Sequence, residues 1–160
     1  MIEAISPLIS PIENIPQELT ERPQWVCWRY EERDEKLTKI PYSTTGWRAS
    51  STDPTTWSTF DEALTAHKKR GYDGIGFVFS DDDPYCGIDL DKCRDPKTGE
   101  IAPWAQKIIN RVDGTYVEAS PSGTGIHIIV EGTVRGGGMR KGPVEMYSRA
   151  RFFTITGEVL

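Results

Sequence analysis

The sequence predicts an α+β domain built mostly from antiparallel strands, and three observations predict it. Two stretches carry helix punctuation, at 53–71 and 103–114; short apolar runs bounded by turn residues recur before and between them; and after the second helix the chain is nearly all strand, joined by glycine-rich connections. With 160 residues, 37% of them hydrophobic and 10% aromatic, the chain is long enough to bury its own core and too apolar for disorder. No run approaches the roughly 18 consecutive apolar residues that span a bilayer. The start, Met1-Ile2-Glu3-Ala4, lacks the basic and then apolar order of a secretory signal. A cytoplasmic protein with no membrane partner is therefore expected.

The elements follow in order. Residues 1–22 carry Pro7, Pro11 and Pro16 among scattered apolar positions, which fits an extended arm preceding a domain over 23–160. Trp25 to Tyr30 and Leu37 to Tyr42 read as a hairpin around a charged turn. Asp53-Pro54 offers a cap followed by proline, and Thr59 with Glu62 forms a capping-box pattern, so a helix is expected to end at Gly71. Gly74 to Ser80 and Tyr85 to Asp91 are strands around the turn Asp81 to Asp83. Pro103 opens a helix with Trp104, Ile108, Ile109 and Val112 on one face. The strands 115–119, 126–130, 144–147 and 152–156 complete the chain.

Charge and cysteine content narrow the function classes. Nineteen basic against twenty-four acidic residues give −5 and a pI near 5.1, against coating of nucleic acid by overall charge but compatible with a local basic groove. Cys27, Cys86 and Cys93 are odd in number and lack CxxC spacing, so neither a disulfide framework nor a zinc knuckle is indicated.

The chemistry lies on the strands. Alternation over Tyr85 to Asp91 sends Ile88 and Leu90 one way and Gly87, Asp89 and Asp91 the other. Two like charges on one face suit a hard cation such as Mg²⁺ or Mn²⁺, the plain alternative being a solvated strand edge. The hydroxyl-rich loop Ser120 to Gly125 delivers His127 to a strand on the face opposite Ile126, Ile128 and Val130. In Val144-Glu145-Met146-Tyr147, Val144 and Met146 face the core and Glu145 faces away, on a strand of opposite periodic phase. Asp89, Asp91, His127 and Glu145 are thus expected on polar faces of one sheet, an arrangement that metal-assisted phosphoryl transfer uses. His67, beside Lys68-Lys69-Arg70, reads as a solvated helix-end residue, and most of the five tryptophans read as core.

This order, hydrophobic-Asp-x-Asp, then a small residue and histidine after Ser-Pro-Ser-Gly, then an acid on a later strand, resembles the archaeo-eukaryotic primase superfamily. It is most similar to the primase-polymerase domain at the N-terminus of phage and plasmid replication proteins. Further matching stretches are Trp25 to Trp28, Thr38 to Tyr42, Ala49 to Pro54 with Trp57, and Gly74 to Val78.

The resemblance implies a small α/β lobe packed on an RRM-like sheet, with the site in the cleft between them, and a catalytic core over 23–160. It implies metal-binding roles for Asp89, Asp91 and Glu145 with two Mg²⁺ or Mn²⁺ ions. His127 and Ser122 would contact the phosphates of a nucleoside triphosphate. Arg151 falls where the family has a basic triphosphate contact, a salt bridge being its other reading. Lys39 and Arg48 could reach phosphate or belong to solvated faces. The implied reaction is template-directed transfer from a nucleoside triphosphate to a primer 3′-hydroxyl on single-stranded DNA, during replication of a phage or mobile element in a bacterial cytoplasm. Related proteins continue into helical and helicase regions, on which template binding and initiation lean. Two readings of other classes remain: a nucleotide- or single-strand-binding module without polymerase activity, and a metal-dependent nuclease.

Overall fold

The computed structural model describes residues 12–112 and 114–160. After a 3₁₀ turn at Ile12–Asn14 and a one-turn helix α1 (Gln17–Thr20), β1 (Trp25–Arg33) and β2 (Lys36–Tyr42) form the first hairpin. Next come α2 (Phe60–Arg70), β3 (Gly74–Phe79), β4 (Tyr85–Leu90), α3 (Pro103–Arg111), β5 (Tyr116–Ala119) and β6 (Ile126–Glu131). A second hairpin, β7 (Gly138–Lys141) and β8 (Val144–Tyr147), precedes β9 (Arg151–Ile155).

The strands make two antiparallel sheets, ordered β2-β1-β3-β9 and β5-β6-β4-β8-β7. The fold is α+β, as the strand and helix patterns predict. Each sheet has its own helix: α2 packs on β1 and β3, and α3 covers one face of the five-stranded sheet. That face carries Cys86, Ile88, Leu90, Ile126 and Ile128 against Ala105, Trp104, Ile108 and Ile109. The other face of the five-stranded sheet joins a second core, in which its Tyr116 and Ile129 meet Phe77, Phe79 and Phe153 of the four-stranded sheet, on the same face that α2 covers with Phe60, Ala63 and Ala66. β3 is buried along its whole length because it is an inner strand: Ile75, Phe77 and Phe79 enter this core, and the Trp28 indole and Phe152 ring lie over Gly74 and Gly76 on its other face.

Local chemistry fixes the element ends. Thr59 accepts a hydrogen bond from the Glu62 N–H while the Glu62 carboxylate accepts from the Thr59 N–H, and Gly71 ends α2 in the left-handed region at φ 66°. Asp53 instead caps a separate 3₁₀ turn, Pro54–Thr56, so the helix begins later than its first cap signal. The β1–β2 turn is tighter than the charged segment suggests: pairing runs to Arg33–Lys36, and Asp34 and Glu35 alone make the turn, both at positive φ.

Four further differences from the sequence reading have physical reasons. The arm read over 1–22 falls outside the described residues as far as 11. From residue 12 the chain is turned and docked rather than extended, because Ile15, just before α1, and Leu19 within it bury together and the Trp25 indole N–H donates to the Leu19 carbonyl at 2.9 Å. His67 is buried rather than solvated because it lies one turn after Ala63, on the face of α2 that packs on the first sheet. β7 forms where the sequence shows only a glycine-rich connection, because its residues are all exposed and carry no apolar alternation. Trp25 and Trp28 are core, Trp57 and Trp104 are half-buried, and Trp47 is 78% exposed. Among the described residues, no helix is long and apolar enough to cross a membrane.

Candidate active site

Strand register assembles the site. Asp89 on β4 is the direct partner of His127 on β6 and of Glu145 on β8, so the three side chains form a row across the middle of the five-stranded sheet. Period-two alternation puts that row on the face turned toward the other sheet, because Ile88, Leu90, Ile126, Ile128, Val144 and Met146 occupy the face under α3. The far wall comes from Thr38, Lys39 and Pro41 on β2 and from Arg151 to Thr154 on β9. Together they enclose a cavity of about 420 Å³, within the range of small-molecule sites. Close approach of the sheets beneath it depends on Gly87, where an added Cβ would lie 2.5 Å from Phe153 Cε2 and 2.6 Å from Phe79 Cε2.

At the mouth the chain crosses from β8 in one sheet to β9 in the other. Ala150 makes that crossing at φ 55°, and the Ser51 hydroxyl donates to its carbonyl at 3.1 Å. The Arg151 guanidinium, the first residue after the crossing, lies 4.4 Å over the Tyr147 ring.

The electrostatics are those of crowded, partly desolvated charge. Burial raises the Asp89 carboxyl above its ordinary range; the charges of Glu145 and Asp91 push the same way, while His127 and Lys39 oppose them. Burial lowers the Lys39 ammonium, against the pull of Asp89 and Asp91. The His127 imidazole is 5% exposed and lies beside the Phe153 ring at 5.1 Å. Its Nδ1 stands 3.0 Å from the Thr154 carbonyl and its Nε2 3.8 Å from Asp89 Oδ1. The face opposite Ile126 and Ile128 is thus not solvent but the seam between the sheets. Glu145 accepts from the Tyr147 hydroxyl at 3.3 Å and pairs with Arg140 at 3.6 Å.

Of the residues singled out in the sequence, Asp89, Glu145, His127, Lys39 and Arg151 line this one cavity. Asp91 lies just beyond the end of β4, its N–H donating to the Pro143 carbonyl at 2.9 Å, exposed and outside the cavity lining. Ser122 also lies outside it, exchanging hydrogen bonds with Ser120 and Thr124 within its own loop. Arg48 pairs with Glu31 at 3.1 Å, again away from the cavity. One residue escaped the sequence reading altogether. Glu118 on β5 is fully buried in register with His127, and its Oε2 is 3.4 Å from Nδ1. The signal was there: a carboxylate between Val117 and Ala119 takes the His127 face if β5 pairs with β6.

The donor set bears on metal binding. Among the described residues, no group of three or more His, Cys, Asp or Glu side chains is gathered closely enough to hold an ion by itself. Asp89 and Glu145 nevertheless fit a hard divalent cation, since Mg²⁺ commonly takes one or two carboxylates and completes its shell with water and substrate phosphate. The crowding that raises the Asp89 carboxyl is the kind of repulsion that such a cation relieves.

Two antiparallel sheets, one with two acids and a histidine in register on its inner face, make an α+β domain, and sequence similarity supports its reading as a primase-polymerase domain. Over 143 residues the chain is 40% identical to the DNA Primase-polymerase of Nitratiruptor phage NrS-1, a match covering 85% of this chain. The chain spans about a fifth (19%) of that relative's length. No family model matches the chain.

Proposed function

We propose that residues 23–160 form the catalytic core of a DNA primase-polymerase, transferring nucleotides from nucleoside triphosphates to a primer 3′-hydroxyl on a single-stranded DNA template. The observation that carries this reading is the direct register of Asp89 with both His127 and Glu145, facing Lys39 and Arg151 across one cavity. The cations Lys39 and Arg151 suit the triphosphate, and His127 Nε2 faces the same space as a further phosphate contact. Asp89 and Glu145 would hold Mg²⁺ or Mn²⁺, with Asp91 close enough in charge to share the task with a second ion. When bound, such ions neutralise the carboxylates, lower the pKa of the attacking hydroxyl and offset charge on the leaving pyrophosphate.

The division of labour among the side chains follows from burial. His127 is fixed by packing and hydrogen bonding, so its contact is pre-organised. Arg151 sits at the exposed mouth, where it meets the incoming triphosphate first. Such a protein would work in the cytoplasm of a bacterial or phage-infected cell, within a longer polypeptide that supplies helical or helicase regions.

Primer extension on a templated single strand, with Mg²⁺ or Mn²⁺ and each nucleotide set, tests the reading beside an Asp89→Ala/Asp91→Ala control. Extension by the wild type and none by a folded control is the expected result. Shortened DNA would make the domain a nuclease, and metal-dependent triphosphate binding without extension would make it a binding module.

A further inference from the structure

Glu118 is the one carboxylate in the described structure with no exposed surface. Transfer of an ionised carboxylate out of water is costly unless hydrogen bonds replace the lost hydration. Here the replacements are present. Both carboxylate oxygens accept from the Thr156 N–H, at 3.1 and 2.9 Å, while the Thr156 hydroxyl, 3.1 Å from Oε2, gives its proton to the Ala119 carbonyl at 2.7 Å. Oε1 also accepts from the Tyr116 hydroxyl at 2.8 Å and the Gly157 N–H at 3.4 Å. Three donors directed at it, the Thr156 and Gly157 N–H groups and the Tyr116 hydroxyl, match the ionised form, which only accepts.

This anion lies directly behind His127. Its Oε2 is 3.4 Å from Nδ1, the nitrogen that also meets the Thr154 carbonyl at 3.0 Å. Both neighbours of Nδ1 are acceptors, so Nδ1 carries a proton and Nε2 is left toward Asp89 and the cavity. Glu118 acts on the second acceptor too: by binding the Thr156 and Gly157 N–H groups it pins the end of β9, the strand that supplies the Thr154 carbonyl.

We infer that Glu118 is the positioning residue for His127: a buried anion that fixes the ring's tautomer and aims Nε2 into the cavity, directly and through the end of β9. The inference rests on the reading of His127 as a phosphate-facing group. Glu118 itself is sealed from the cavity and acts only through the histidine.

Imidazole ¹⁵N NMR on the whole chain tests this without reference to activity, and with only His67 and His127 present the signals are readily assigned by a His67→Gln variant. Wild-type His127, read at a pH where the ring is neutral, is expected to hold its proton on Nδ1. An Nε2–H ring, or the mixture typical of exposed histidine, overturns the inference whatever any variant does. In Glu118→Gln, which keeps the volume, the His127 signals should move toward that mixture; unchanged signals also overturn it.

Kinetics supply the second arm. Loss of the orienting partner of a metal-ligating histidine costs about 10- to 100-fold in affinity or activity, and Glu118→Gln should lower primer extension by the same order. In a His127→Ala background the same change should cost under about two-fold, since nothing remains to be aimed. An undiminished loss in that background would show a merely structural role and refute the proposal. A wild type that extends no primer defeats the polymerase reading instead, while the NMR arm still decides the positioning.

Discussion

Asp89 and Glu145 face one another as direct partners across the β4–β8 pair, two carboxylates on neighbouring strands with like charge. Burial, reinforced by Glu145, raises the Asp89 carboxyl above its ordinary range. An acid whose pKa is higher folded than unfolded binds more protons in the folded state. Its penalty is therefore absent below the unfolded pKa, grows through the interval between the two values, and is complete above the folded one.

Asp89→Asn should accordingly abolish extension and yet make the metal-free domain more stable. The advantage should vanish as pH falls below the ordinary carboxylate range and grow as pH rises above it. Thermal denaturation of wild type and variant in chelator, across that range, measures the difference. Mn²⁺ should raise the melting temperature of the wild type and leave Asp89→Asn nearly unmoved. A variant less stable than wild type at neutral pH would mean that the carboxylate pair is not strained.

The alternation of Ile88 with Leu90, Ile126 with Ile128, and Val144 with Met146 made the phase of three strands legible, and with it the shared face of Asp89, His127 and Glu145. What alternation cannot say is what lies across that face. A polar face on a two-layer sheet reads as solvent, whereas here a second sheet covers it, so His127 is sealed and Glu118 buried behind it. Ser122 and Arg48 show the converse. Each is near a site motif in sequence, but the one turns back into its own loop and the other pairs with Glu31.

The seam itself is testable at Gly87. A Cβ there would press on Phe79 and Phe153, whose rings already meet edge to face with centroids 5.0 Å apart. Overpacking of a filled core costs about 1–3 kcal/mol, and Gly87→Val should destabilise by that amount in chemical denaturation. The two sheets would also be pushed apart under the cavity, so extension should fall further than stability alone explains. A Gly87→Val protein of wild-type stability and activity would show that the seam is looser than the ring contacts imply.

Helix α2 contributes no residue to the cavity lining, which separates stability from chemistry. Thr59 accepts from the Glu62 N–H at 3.2 Å and donates its hydroxyl proton to the Glu62 carboxylate at 2.8 Å, holding that carboxyl below its usual range. Thr59→Ala should cost about 1 kcal/mol of stability, read from denaturant midpoints at unchanged slope. Its rate of nucleotide incorporation, measured below the melting range, should match the wild type.

Lys39 and Arg48 both lie near the first hairpin, and the structure separates them. Lys39 lines the cavity, where burial depresses its ammonium and Asp89 and Asp91 sustain its charge. Arg48 is outside the cavity with a side chain 56% exposed, paired to Glu31. A hydrogen bond to a charged group contributes about 1.5–3 kcal/mol, roughly ten- to hundred-fold in affinity, whereas an exposed pair contributes about 0–1 kcal/mol. Lys39→Ala should therefore raise the nucleotide KM by about ten-fold or more, while Arg48→Ala leaves kcat/KM within about two-fold of wild type. Steady-state incorporation at varied nucleotide concentration distinguishes them. Equal losses in the two variants would place the triphosphate farther along the hairpin than this cavity, and the roles of Asp89 and His127 would have to move with it.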